Sequence, residues 1–410
     1  MAPPPPPEIG QAMKKTSEKL YQSLQLLSRS HLDAQQGNIT LQLLREVEDW
    51  DLFLSTATRK FGLPLIYRNC RRLSNGVVPE EVLQQMRQGI RIASMNMLAA
   101  NSANILFHKK CIEPLAARHF YIKGPSLWAR YYDKGVVRNC RDIDIVVEKK
   151  KFFEILNLAQ ENGYQIVGES TQKLISPNEQ YLRAISRYQD VVTLFSPEGI
   201  IIEVHKRIDK SMGVFSSQKL YNDLDQVELG SRKINVLPTS KLAVYICYHS
   251  TQHLWSHLSW ITDFDAIIND ATFKRTEAQE YANKLGLGRL FTATISFFEL
   301  MGRFDQSSGL PEGALAGSMY MKSIMSLAGD LENEHKMTRE EWRRGIGERY
   351  AGSLKFAAQS STSTFLLSLR PKIWQYEKQP LPDYLQWVYF PLLMAEYLRQ
   401  FVRKRLLRKL

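Results

Sequence analysis

The chain has 410 residues, 44% of them apolar and 23% charged, with a formal net charge of +12. That length allows two or three domains with ordinary cores and excludes a disordered or fibrous chain. The positive excess favours an anionic partner, whether nucleotide, nucleic acid or anionic lipid, and does not by itself choose among them.

Residues 1–13 are expected as a disordered Pro-rich tail, because Pro3 to Pro7 stand where a secretory leader would carry a basic start and an apolar run. From about Lys14 to Leu115 apolar residues recur at three- and four-residue spacing, through Leu41–Phe61 and again through Val82–Ile105, which predicts an N-terminal helical segment over 14–116. The texture changes at His119. Phe120–Gly124 reads as a strand running into a turn, followed by a helix over Leu127–Tyr132. Further strands are predicted at Ile143–Val147, Tyr164–Val167, Asp190–Phe195, Ile200–His205 and Lys233–Leu237. Ser196-Pro197-Glu198-Gly199 has turn composition and implies a hairpin, and a helix over Lys149–Asn162 fits before the stop signal Gly163. Residues 117–238 thus form a strand-rich core. The chain turns helical again through Lys241–Asp270, Thr276–Arg303 and Pro382–Leu410, giving a C-terminal helical domain over 239–410 with a basic tail. The four cysteines, Cys70, Cys111, Cys140 and Cys247, are scattered without a Cys-x-x-Cys, so neither a zinc knuckle nor a disulfide framework is indicated and a cytoplasmic setting fits.

The stretch Arg141-Asp142-Ile143-Asp144-Ile145-Val146-Val147-Glu148 places two carboxylates two positions apart on a predicted strand. Side chains alternate across a strand, so Asp142 and Asp144 project one way while Ile143, Ile145 and Val147 point into packing. Two acids fixed side by side repel unless a cation lies between them, and a hard divalent ion bound by carboxylates and substrate phosphates resolves the conflict. The pair points to phosphate chemistry. Upstream, Lys123-Gly124-Pro125-Ser126 forms a turn ahead of a helix, and backbone amides at such a junction suit phosphate oxygens, so Lys123, Gly124 and Ser126 are candidate nucleotide contacts. Arg138 and Arg141 lie close to the acids and suit forked contacts with phosphate. Glu203 interrupts the apolar run Ile200–His205, and alternation sets Ile201, Glu203 and His205 on one face against Ile202 and Val204. A lone carboxylate there is costly to bury unless paired or metal-bound, so Glu203 is expected as the third metal ligand or as the base for an attacking hydroxyl.

The order Gly-x-Ser, Asp-x-Asp on a strand and a third acid on a later strand resembles the polymerase-β-like nucleotidyltransferase superfamily. More closely, Lys123-Gly124-Pro125-Ser126-Leu127, Tyr131, Arg138, Arg141 to Val147, Gly163-Tyr164, Glu203-Val204-His205, Leu237-Pro238, His249 and His253 resemble the bacterial group of uncharacterised nucleotidyltransferases, from Leu41 to Leu300. The resemblance implies an α/β (α+β) fold: a small mixed sheet with the acids on neighbouring strands, flanked by N- and C-terminal helical segments. It also implies Mg²⁺, with Mn²⁺ as a substitute, and an NTP, ATP foremost, whose nucleotidyl group passes to an acceptor hydroxyl with release of pyrophosphate. Asp142 and Asp144 would hold two ions about 3.5–4 Å apart, and Glu203 would help hold the one that activates the acceptor. His249 and His253, with His205, would line the nucleotide or acceptor pocket. Pro125 departs from the usual Gly-Gly or Gly-Ser turn and removes an amide donor. The interval from Gly124 to Asp142 is also longer than is common.

Rival readings are a nucleotide-binding module without catalysis, motivated by Pro125, and a basic adaptor for RNA or an anionic membrane surface. The adaptor reading is motivated by Arg399, Arg403, Lys404, Arg405, Arg408 and Lys409 after the aromatic stretch Trp387–Leu393. That stretch falls short of the about 20 apolar residues that span a bilayer, so no transmembrane segment is expected. For Asp142 and Asp144 the ordinary alternative is a surface ion-pair network with Arg138 and Arg141. For His205, His249, His253 and His257 the alternatives are a zinc site and histidines that donate to backbone or carboxylate. The acceptor stays open among small molecules, protein hydroxyls and RNA.

Overall fold

The computed structural model describes residues 15–73, 76–133, 135–140, 142–169, 171–208, 214–301, 315–329 and 353–407. The Pro-rich tail, Arg141 and the end of the basic C-terminus therefore lie outside the described residues. The described chain divides into two compact units. One gathers residues within Met1–Met97, Leu127–Cys140 and Thr239–Ser353, and the other residues within Leu98–Ser126, Arg141–Pro238 and Leu354–Leu410.

The first unit is helical. Its N-terminal part comprises Lys15–Leu27, Ala34–Arg45, Trp50–Arg59 and Leu63–Leu73, so the apolar periodicity read over Leu41–Phe61 belongs to two helices. Asp33 accepts from the Gln36 amide while Gln36 reaches back to the Asp33 amide, a reciprocal cap that fixes the start of Ala34–Arg45. The single helix expected over Lys241–Asp270 is two helices, Thr239–Gln252 and Leu258–Ile268. Leu254 (φ 57°) and Trp255 (φ 52°) turn left-handed between them. The reason is burial of the indole: Trp255 is 1% exposed and packs edgewise on Phe264 and Phe298, with its Nε1 donating to Thr251 Oγ1 at 3.1 Å. Burying a ring of that size offsets a backbone cost of about 1–3 kcal/mol per left-handed residue. The span expected over Thr276–Arg303 is likewise broken, into Arg275–Leu285 and Gly288–Met301, by Gly286 at φ 77°.

The second unit holds one eight-stranded mixed sheet, the mixed sheet that the family resemblance implies. Its strands are β1 (His119–Tyr121), β2 (Asp142–Val147), β3 (Gln165–Val167), β4 (Leu174–Ile175), β5 (Val191–Phe195), β6 (Ile201–His205), β7 (Asp225–Leu229) and β8 (Arg232–Val236). Their order across the sheet is β4-β3-β5-β6-β2-β1-β8-β7. β5 and β6 are the predicted hairpin, closed by Gly199 at φ 86° and by the Ile200 amide donating to Ser196 Oγ at 3.1 Å. β2 and β6 run parallel at the centre, and β1 lies antiparallel on the other side of β2. The helix Phe152–Glu161 buries Phe152, Ile155, Leu156 and Ala159, spaced for one helical face, and ends in the turn at Gly163 (φ 84°). Each such large apolar side chain contributes about 1.5–3 kcal/mol on burial. The C-terminal block expected as one helix over Pro382–Leu410 is a 3₁₀ turn, Asp383–Val388, followed by the helix Tyr389–Leu407. Among the described residues no helix is long and apolar enough to cross a membrane.

Candidate active site

The sheet register builds the site. On the parallel strands β2 and β6, Asp142 pairs with Ile201, Asp144 with Glu203, and Val146 with His205. Paired residues on parallel strands share a face, about 4.8 Å apart, so Asp142, Asp144, Glu203 and His205 all project the same way. Ile143, Ile145, Ile202 and Val204 fill the opposite face and are fully buried, which fixes the register, because a one-residue slip would drive the acids into that apolar layer.

Three of these side chains converge. His205 Nε2 donates to Asp144 Oδ1 at 3.1 Å and lies 3.4 Å from Glu203 Oε2. Candidate ligand atoms of Asp144, Glu203 and His205 all lie within 4.8 Å of one another, and no other such group of acids, histidines or cysteines occurs among the described residues. The side chains of Asp144 and His205 are 8% and 6% exposed, and that of Glu203 is 28% exposed, which leaves the cluster open on the Glu203 side. Burial disfavours the His205 imidazolium, yet hydrogen bonds to Asp144 and Glu203 outweigh that cost and raise its pKa above the ordinary histidine value. Two carboxylates and an imidazole form a donor set suited to a divalent cation. Asp142 is half-buried on the same face, about 6.6 Å along β2 from Asp144, and is not one of the tight group of three.

The turn before the acids is built as a strand–turn–helix junction. Gly124 sits at φ 66°, and Pro125 is the first residue of the helix Pro125–Tyr131, the position where a missing N–H costs least. Ser126 is buried, and its hydroxyl donates to the Lys123 carbonyl at 2.9 Å, closing the turn on itself. The Ile122 amide donates to the Asp144 carbonyl at 3.3 Å and ties the turn to the acid-bearing strand.

A family profile described as uncharacterised nucleotidyltransferase matches residues 46–302, a span containing both acid-bearing strands, the turn, the helix with His249 and the turn after it with His253. The chain belongs to that nucleotidyltransferase family. No match is found among curated proteins.

In this nucleotidyltransferase the remaining residues singled out from the sequence lie as follows. Arg138 makes a forked ion pair with Asp263, at 2.8 and 2.9 Å, within the helical unit, and Tyr132 donates to the same carboxylate at 2.6 Å. Arg138 and Asp263 are buried, so the guanidinium expected on phosphate is engaged with a carboxylate. Burial and the adjacent Asp263 push the Tyr132 phenol well above its usual range, which keeps it a donor. Tyr132 and Tyr131 also line a cavity of about 490 Å³, whose other polar walls include Arg68, Asp133, Asn269 and Asp270. His249 and His253 are half-buried, with ring centroids 4.8 Å apart, and both rings approach Trp260, at 5.5 and 5.3 Å. His257 stacks on the same indole at 4.3 Å. These three histidines form an aromatic cluster and gather no metal-ligand group among the described residues. Asp263 as the partner of Arg138 carries no local sequence signal, since 125 residues separate them.

Proposed function

We propose that this nucleotidyltransferase moves a nucleotidyl group, AMP from ATP, to an acceptor hydroxyl in a divalent-metal-dependent reaction that releases pyrophosphate. The observation that carries the reading is the pairing of Asp144 with Glu203 on adjacent parallel strands, with Asp142 on the same face. Asp142, Asp144 and Glu203 would hold the divalent ions, Mg²⁺ or Mn²⁺, which when bound neutralise triphosphate charge and acidify the acceptor hydroxyl. Glu203, the most open of the three converging groups, is suited to take the acceptor's proton as its oxygen attacks the α-phosphorus. The bond from the α-phosphorus to the oxygen bridging to the β-phosphate then breaks, and pyrophosphate leaves. Gly124 and Lys123, with Arg141, are proposed to position the triphosphate, and His249 and His253 to line a substrate pocket. Because Ser126 spends its hydroxyl on the turn, its contribution is proposed to come through the backbone amide.

The test is parallel incubation with ATP labelled at the α-phosphate or at the γ-phosphate, with Mg²⁺ or Mn²⁺ and pools of small molecules, proteins or RNA. The expected outcome is label in an acceptor together with one pyrophosphate per transfer. Label transferred only from the γ-phosphate would replace this reading with phosphoryl transfer, and no transfer under any metal would remove it.

A further inference from the structure

We propose that His205 is itself a metal ligand, and that Asp144, Glu203 and His205 form a mixed nitrogen–oxygen site selective for a first-row transition ion over Mg²⁺. The inference rests on the nucleotidyltransferase reading of this face and specifies which ion the face holds. Alternation on β6 brings His205 to the same side as Glu203, and the parallel register carries both to Asp144. Two ligands about 2.1 Å from one ion lie about 3.0 Å apart at right angles and about 3.4 Å apart at tetrahedral angles. The His205 Nε2 separations of 3.1 Å from Asp144 and 3.4 Å from Glu203 match that spacing.

The ring's hydrogen bonds run through Nε2, toward the acids, and among the described residues Nδ1 is buried without a hydrogen-bond partner. Imidazole nitrogen suits first-row transition ions, whereas Mg²⁺ takes oxygen ligands and keeps several waters. Asp142 lies outside the three and offers oxygen alone, which suits the ion that arrives with nucleotide phosphates. The two ion positions of the catalytic face are thus chemically unequal: an inner one with nitrogen and an outer one without.

The experiment uses the full-length protein freed of metal, titrated with Mn²⁺ alone and followed by electron paramagnetic resonance, with the electron spin-echo envelope recorded for nitrogen modulation. The expected result is Mn²⁺ bound without nucleotide, carrying imidazole nitrogen modulation, displaced by Zn²⁺ and resistant to a large excess of Mg²⁺. His205→Gln is expected to lose the modulation and at least about tenfold in Mn²⁺ affinity, the smallest loss usual even for residues one shell further from a metal. If that variant does not fold, the wild-type modulation and the Mg²⁺ competition decide alone. Mn²⁺ bound without nitrogen modulation, or displaced equally by Mg²⁺, overturns the assignment and leaves the proposed function standing. If Mn²⁺ does not bind alone but does bind once ATP is added, the inner site falls and the nucleotidyltransferase reading survives. If it binds in neither case, both fall.

Discussion

Replacing Asp144 by Asn lowers nucleotidyl transfer by about a thousandfold, the equivalent of about 4 kcal/mol in the barrier, while the protein stays folded. Asp144 is the acid at which the two strands meet: it pairs with Glu203 in register, touches His205 at 3.1 Å, and its side chain is 8% exposed. Asn keeps the volume and an acceptor oxygen for His205, so packing changes little. What is lost is one negative charge where the proposed reaction holds a cation against triphosphate. The check is steady-state transfer of α-label beside a thermal melt of the same preparation. Transfer within tenfold of wild type would show that the acid is dispensable and that the cluster serves structure.

Replacing Asp263 by Ala has a different signature. It strands Arg138 as a buried cation and removes the acceptor of Tyr132, so stability falls by about 3–5 kcal/mol. The magnitude follows from the geometry: a bidentate pair at 2.8 and 2.9 Å between two buried side chains, with a phenol donating at 2.6 Å. Urea unfolding followed by helical circular dichroism reads the loss. Removing both charges together, as Arg138→Met with Asp263→Leu, is expected to recover most of it, because the cost lies in the uncompensated charge. If the Asp263 variant unfolds as the wild type does and Arg138→Met instead abolishes nucleotide binding, the arginine acts on phosphate as its sequence position suggests.

These two cases mark what the sequence carried and what it did not. The strands around the acids were legible because alternation is local: Ile143, Ile145, Ile202 and Val204 announce a buried face, and Asp142, Asp144, Glu203 and His205 fall on the other. The hairpin between β5 and β6 was legible from Ser196 to Gly199, where glycine supplies the positive φ the turn requires. The neighbouring of β2 and β6, which turns separate acids into one cluster, is a long-range property and entered through the family resemblance, whereas their parallel direction is seen only in the folded chain. The break at Leu254 and Trp255 was not legible, because Phe264 and Phe298, which draw the indole inward, lie on later stretches of chain. Nor was the engagement of Arg138: its spacing from the acids favoured phosphate, and only the folded chain brings Asp263 to it. β7 carries little strand signal, since Asp225, Gln226 and Glu228 dilute its apolar pattern to Val227 and Leu229.

The most direct measurement of the central claim is a crystal structure of the protein soaked with Mn²⁺ and a non-hydrolysable ATP analogue, with anomalous scattering recorded for the metal. The account predicts an anomalous peak in contact with carboxylate oxygens of Asp144 and Glu203, with the α-phosphate of the analogue beside it on the same face of the sheet. Nucleotide and metal bound away from that face, or an anomalous map empty around Asp144 and Glu203 while nucleotide is bound, would contradict it.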